Sequence, residues 1–140
     1  MEIKLAALAD AANVSQEGTL NLLGIFNAVN ATAFPSVHLS AQLVLNLEAS
    51  SVEAGRSQKL EIVFCDADGN KQGSIAATFI VPKGQAGYSI KMNHIFAIPP
   101  MKFEKPGDYV FHIMINNEEK ARMPLQVSLV APGKVKGKKS

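Results

Sequence analysis

The chain has 140 residues, 47% of them apolar and 19% charged, with a formal net charge of +2. Such a length and composition describe one globular domain able to bury roughly 68–70% of its unfolded surface without disulfides or a structural metal. There is no run of 18 apolar residues, so no membrane span is expected. The opening "MEIKLAALADAANVS" does not read as a secretion signal, because Glu2 balances Lys4 and Asp10 interrupts the apolar stretch. Cys65 is the sole cysteine, so no intrachain disulfide forms, and a reducing cytoplasm is the expected compartment.

In the first segment Ile3, Leu5 and Ala7 alternate with Glu2, Lys4 and Ala6. That period predicts a strand over residues 2–12, although Ala and Leu would also suit a helix. In "VSQEGTLNLLGIF", Gly18 permits a reversal, Leu20 and Leu22 begin a second strand, and Gly24 suits a bulge or a close backbone approach. "HLSAQLVLNLE" sets Leu39, Ala41, Leu43, Leu45 and Leu47 on one face of a half-buried strand of about 11 residues. "SQKLEIVFC" does the same with Leu60, Ile62 and Phe64, and "QGSIAATFIV" follows after a hairpin signalled by Asp68-Gly69. "YSIKMNHIFAI" aligns Ile90, Met92, His94, Phe96 and Ile98.

The clearest stretch is "FEKPGDYVFHIMI". Pro106 and Gly107 suit the central positions of a type II turn, after which Tyr109, Phe111, Ile113 and Ile115 point to one side. A Gly-x-Tyr start of this kind is how a tyrosine corner looks, with the phenol bonded to an upstream backbone group. "NNEEK" is a polar reversal, and "ARMPLQVSLV" closes the domain with Met123, Leu125, Val127 and Leu129 on one face. Pro124 cannot donate to a ladder, which favours an edge or bulge there. The pattern predicts about eight antiparallel strands in two packed sheets, an immunoglobulin-like or Greek-key β-sandwich over residues 1–130, with a flexible tail at 131–140. That tail carries Lys134, Lys136, Lys138 and Lys139, four of the 14 basic residues, which leaves 10 against 12 acidic residues and a body of net −2. The body is therefore not a basic nucleic-acid surface, and contacts of the tail with a polyanion are the most that the charge distribution supports.

Several of these features occur together in one known pattern. Asp10, Val14-Ser15, Gly18, Leu20, Leu23-Gly24-Ile25-Phe26, Phe34-Pro35 and Pro106-Gly107-x-Tyr109-x-Phe111 together resemble a family of small bacterial proteins known only as a domain of unknown function. The likeness spans residues 3 to about 130. It implies a β-sandwich domain of bacterial or phage origin and supplies no activity.

The chemistry-bearing residues are sparse. His38, His94 and His112 lack zinc spacing, though strands could bring His94 and His112 together. Cys65 with a distant histidine satisfies the bare requirement for a thiol nucleophile, but it ends an apolar strand and reads as a small core residue. Asp66, Asp68 and Asn70 have the oxygen spacing of a calcium loop, yet position 77 is Ala where an EF-hand requires an acid, so they read as a hairpin turn. No Gly-x-Gly-x-x-Gly, phosphate loop or Gly-x-Ser-x-Gly elbow is present. No catalytic residue, cofactor or metal is expected. The residues singled out are structural: Gly24, Pro106, Gly107 and Tyr109. The expected function is a non-catalytic protein-interaction or assembly module, with a protein partner or self-association. A small-molecule or carbohydrate-binding sandwich is the alternative, weakened by the absence of Trp.

Overall fold

A computed structural model describes residues 1–38 and 40–131. Leu39 and the tail lysines Lys134, Lys136, Lys138 and Lys139 lie outside the described residues. The elements are β1 (Glu2–Val14), β2 (Leu20–Phe26), β3 (Ala28–Ala31), β4 (Ser36–His38), β5 (Ala41–Ala49), β6 (Ser57–Cys65), β7 (Lys71–Ile80), β8 (Ile90–Ile98), β9 (Met101–Phe103), β10 (Gly107–Ile115) and β11 (Glu118–Leu129), with one 3-10 turn at Ser51–Glu53. No helix among them is long and apolar enough to cross a membrane.

The strands form a four-stranded sheet in the order β2-β1-β5-β8, a five-stranded sheet β3-β11-β10-β6-β7, and a two-stranded ribbon β4-β9. The domain is thus all-β and mainly antiparallel, but it has eleven strands where the alternation predicted eight. The three additional strands, β3, β4 and β9, have four, three and three residues. So short a segment shows no readable period. One pairing also departs from the antiparallel expectation: β3 runs parallel to β11, from Gln126↔Ala28 to Leu129↔Ala31. After Phe26 the chain leaves β2 at the edge of one sheet and joins the edge of the other, and the Gln126 amide donates to the Asn27 carbonyl at this crossing (3.0 Å).

One hydrophobic cluster takes side chains from both large sheets. Leu43, Leu45 and Leu47 of β5 enter it together with Leu60, Ile62 and Phe64 of β6 and Tyr109, Phe111, Ile113 and Ile115 of β10. These are the faces that the period-two pattern assigns. Phe64 is the hub of an aromatic group, 4.5 Å from Phe111, 5.5 Å from Tyr109 and 6.0 Å from Phe103 between ring centroids.

In β1 the face assignment is different from the expected one. The register slips between Ile3 and Leu5, so one extra residue enters the strand. Ile3 faces the core, but beyond the bulge Ala6 and Leu8 do so, while Leu5 is exposed. A bulge reverses every later side chain in a strand.

The turns also settle into particular geometries. Asn116 and Asn117, at φ 51° and 68°, make the two-residue reversal between β10 and β11, the left-handed pair that a tight hairpin needs. In the β6–β7 hairpin the central turn residues are Ala67 and Asp68, with the Gly69 amide donating to the Asp66 carbonyl (3.0 Å) and Gly69 itself left-handed. Asp68-Gly69 is therefore not the central pair. Gly107 is likewise not a type II turn residue: it begins β10 at φ 155°. The Lys105 carbonyl instead accepts the Tyr109 phenol at 2.7 Å, the bond of a tyrosine corner. Pro124 pairs with Val110 on one side, whereas β3 reaches β11 only from Gln126 onward. The missing amide of Pro124 thus falls at an edge.

Gly24 sits in β2 at φ 71°, and a Cβ there would lie 2.5 Å from Oδ2 of Asp10. Gly24→Ala is expected to destabilise the domain by about 1–3 kcal/mol through backbone strain and this clash, read as a lower urea midpoint at unchanged m-value. Tyr109→Phe is expected to cost about 1 kcal/mol in the same measurement, because the Lys105 carbonyl loses its donor.

Candidate functional site

The polar residues singled out from the sequence are engaged in bracing the fold. Asp66 accepts hydrogen bonds through Oδ1 from the amides of Asp68 (3.0 Å) and Asn70 (2.8 Å), and through Oδ2 from the side chains of Asn70 (3.4 Å) and Gln72 (3.3 Å). The Asn70 amide above all holds its carboxyl below the usual range. A cation would have to displace these donors. Asp68 pairs with Lys105 at 3.7 Å. Among the described residues no group of three or more His, Cys, Asp or Glu is placed to hold a metal ion.

The histidines are dispersed. His112 lies on β10 opposite to the core-facing residues, its Nδ1 2.6 Å from Oε1 of Glu119, whose other oxygen accepts from Arg122 Nε (3.1 Å) and Nη2 (2.9 Å). The bond to His112 is the main cause that lowers the Glu119 carboxyl. His38 packs its ring on Phe26, centroids 5.1 Å apart. His94 lies on β8 in the other sheet, between the rings of Phe79 (4.7 Å) and Phe96 (6.1 Å). Its Nε2 is buried without a hydrogen-bond partner. Burial pushes its pKa down. The structure does not bring His94 and His112 together, since they occupy different sheets. Cys65 is a free, buried thiol at the end of β6.

Two surfaces stand out instead. The first is a cleft of about 390 Å3 at the margin of the core. Ile62, Phe64 and Phe111 line it from the core, and Gln72, Gly73, Ser74 and Ile75 of β7 form one wall. The stretch from Ile98 to Lys102, which joins β8 to β9, forms the other. Glu104 stands at the rim, 3.3 Å from the Lys102 ammonium. A volume of this size is in the range of sites that hold small ligands or single side chains. Neither wall was legible as a site. The signals present were Gly73 within a strand pattern and the Pro99-Pro100 break between two strands, and both belong equally to ordinary structure.

The second surface is the outward face of the four-stranded sheet. Exposed Leu5 and Ala11 of β1 share this side with exposed Leu23 and Ile25 of β2, while Ala7, Ala9 and Val44 of β5 on the same side are buried, with Val44 opposite Ile95 of β8. Leu23 is 72% exposed and Ile25 61%. Beyond Ala9 the strand β1 pairs with β2 alone, so β1 and β2 continue as an arm past β5, with Gly18 (φ 88°) at its turn.

Fold and surfaces together define an all-β domain with a cleft at the core margin and an apolar outer face. The chain belongs to a family of unknown function, DUF6941, whose model matches residues 4–128. No curated protein matches it. Among solved structures, the chain is similar to Pseudomonas fluorescens alkylpurine DNA glycosylase AlkC bound to DNA containing an abasic site analog, at 18% identity and a TM-score of 0.42. The likeness covers 73% of this chain, which spans 27% of the length of that one.

The buried ring of His94 gives a defined pH response. Its folded pKa lies below the ordinary 6.5, so both states are neutral above that value. As pH falls below 6.5, the unfolded chain takes up a proton that the folded ring resists, and stability declines towards the lowered pKa. The stability of His94→Leu relative to the wild type should therefore rise as pH falls from 7.5 to 5 in urea titrations. A difference that stays flat over that range would contradict the assignment.

Proposed function

We propose that this domain is a non-catalytic interaction or assembly module of bacterial or phage origin, an immunoglobulin-like sandwich acting in the cytoplasm. The observation that carries the reading is the apolar outward face of the β2-β1-β5-β8 sheet. A sheet face turned to solvent ordinarily alternates towards polar residues. Here β1 exposes Leu5 and Ala11 on that side, with Ala7 and Ala9 buried, and the arm adds exposed Leu23 and Ile25. Contiguous apolar surface of this kind marks protein contacts. The polar groups nearby face one another across strands, with Glu48 opposite Lys91 and Asn46 Nδ2 bonded to Asn93 Oδ1 at 2.8 Å. Close packing against a second flat surface would therefore strand few unpaired charges.

The cleft favours a second reading, a site for a small molecule. It lacks the exposed aromatic platform that sugars use, since Phe64 and Phe111 are buried at 8% and 2% exposure. The experiment that tests the first reading is sedimentation velocity of the wild type and of the Leu23→Lys/Ile25→Lys variant. Self-association that rises with concentration and vanishes in the variant is the expected result. A wild type that is strictly monomeric at high concentration would count against assembly through this face. Both positions are exposed, so each substitution should change stability by no more than about 0.5 kcal/mol.

A further inference from the structure

The strand β7 closes one edge of the five-stranded sheet. It pairs with β6 from Ser57↔Ile80 to Cys65↔Lys71 and with no other strand among the described residues. Its other edge presents free backbone donors and acceptors. Natural edge strands are usually guarded by charge, proline or a kink. At the opposite side of the molecule β2 is kinked at left-handed Gly24. The guards of β7 stand only at its start, where Lys71 and a bulge at Gln72 lie, and the remainder, "GSIAATFI", contains no charge and no proline.

The cleft adjoins this edge. Four consecutive β7 residues, Gln72 to Ile75, line it. Gly73 and Ile75 pair with Phe64 and Ile62 of β6, which also line the cleft, and the bulge at Gln72 breaks the alternation there, so the cleft lies over the margin of the sheet where β7 is the last strand. Gly73 leaves the wall open, with nothing within 4 Å of where its Cβ would be. Lys71 stands exposed at the same end and, among the described residues, has no ion-pair partner.

We infer that β7 and the cleft together receive an extended segment of a partner protein as an added strand. The backbone of that segment continues the ladder from β7, an alternate apolar side chain enters the cleft over Phe64 and Phe111, and an acidic side chain meets Lys71. Strand addition draws affinity from main-chain bonds and selectivity from pockets for alternate side chains, and both elements are present here. The inference shares with the interaction reading the premise that the partner is a protein, but it uses a different surface.

The test begins with selection of phage-displayed random decapeptides on the full chain. The recovered peptides are then synthesised, and their binding is measured by fluorescence anisotropy. The expected winners alternate apolar residues and carry Asp or Glu at one end. N-methylation of alternate peptide amides should weaken binding about tenfold, the effect of losing one or two backbone bonds. Gly73→Leu, which fills the open wall, should weaken it by at least a similar factor with an unchanged thermal transition. Lys71→Glu should weaken the acidic peptides several-fold and leave neutral ones unaffected. The Leu23→Lys/Ile25→Lys variant should bind as the wild type does, so that the two surfaces succeed or fail separately. The inference is overturned if no peptide is recovered, or if binding ignores Gly73→Leu. Indifference to N-methylation would also overturn it, by indicating a ligand held by side chains alone. Self-association that Gly73→Leu or Lys71→Glu abolishes would assign the edge to a second copy of the chain and overturn it as well.

Discussion

Inward-pointing side chains of β5, β6 and β10 share a single interior, and the rest of the structure is arranged to keep them there. Leu43, Leu45 and Leu47 are fully buried, as are Ile113 and, within 2% exposure, Ile62 and Phe111. Sliding β5 by one residue would turn the three leucines outward. Each represents roughly 1.5–3 kcal/mol of burial, so the slip would cost an amount comparable with the roughly 5–15 kcal/mol by which a whole domain is stable. Register in these strands is therefore held firmly. Where the chain departs from strict alternation, it does so through a bulge, at Ile3/Leu5 in β1, at Ile113/Met114 in the β10–β11 pair and at Phe64/Cys65 in the β6–β7 pair. Such bulges restore the phase locally without disturbing the central ladders.

The surfaces available to partners are consequences of where that interior stops. Phe64 and Phe111 belong to the aromatic group that anchors the core, and they also line the cleft. The cleft is thus an uncovered margin of the core with a stiff floor. At the other extreme, β1 and β2 outrun β5, and their apolar side chains have no second layer to enter. The same hydrophobic excess that drives collapse in the centre remains exposed on the arm.

Polar chemistry is mostly committed to geometry. Asp66 organises the β6–β7 turn with four donors. Asn116 accepts from the Lys59 amide at 2.9 Å and donates to Gln58 Oε1 at 2.7 Å, which satisfies the one buried polar side chain among the described residues. Tyr109 fastens the start of β10. Side chains so engaged serve poorly as acids, bases or metal ligands, because freeing them would leave backbone groups without partners. His94 differs, since its buried nitrogen has no hydrogen bond and its ring lies against those of Phe79 and Phe96.

What the sequence by itself determined is the set of long strands and, for most of them, the buried face. Alternation is a local property, and Leu43-x-Leu45-x-Leu47 or Tyr109-x-Phe111-x-Ile113 can be read without knowing any partner. The family motifs were legible for the same reason, because Gly24 and Tyr109 act within a few residues of themselves or on an adjoining strand. Three-residue β4 and β9 were not legible, since they exist only through pairing with each other. The parallel β3–β11 pairing was likewise hidden, and so was the phase reversal in β1, which is set by the ladder to β5. The cleft belongs wholly to tertiary structure. Its walls lie more than 20 residues apart in the chain, and no local pattern records that the edge of β7 comes to lie beside Pro99 and Pro100.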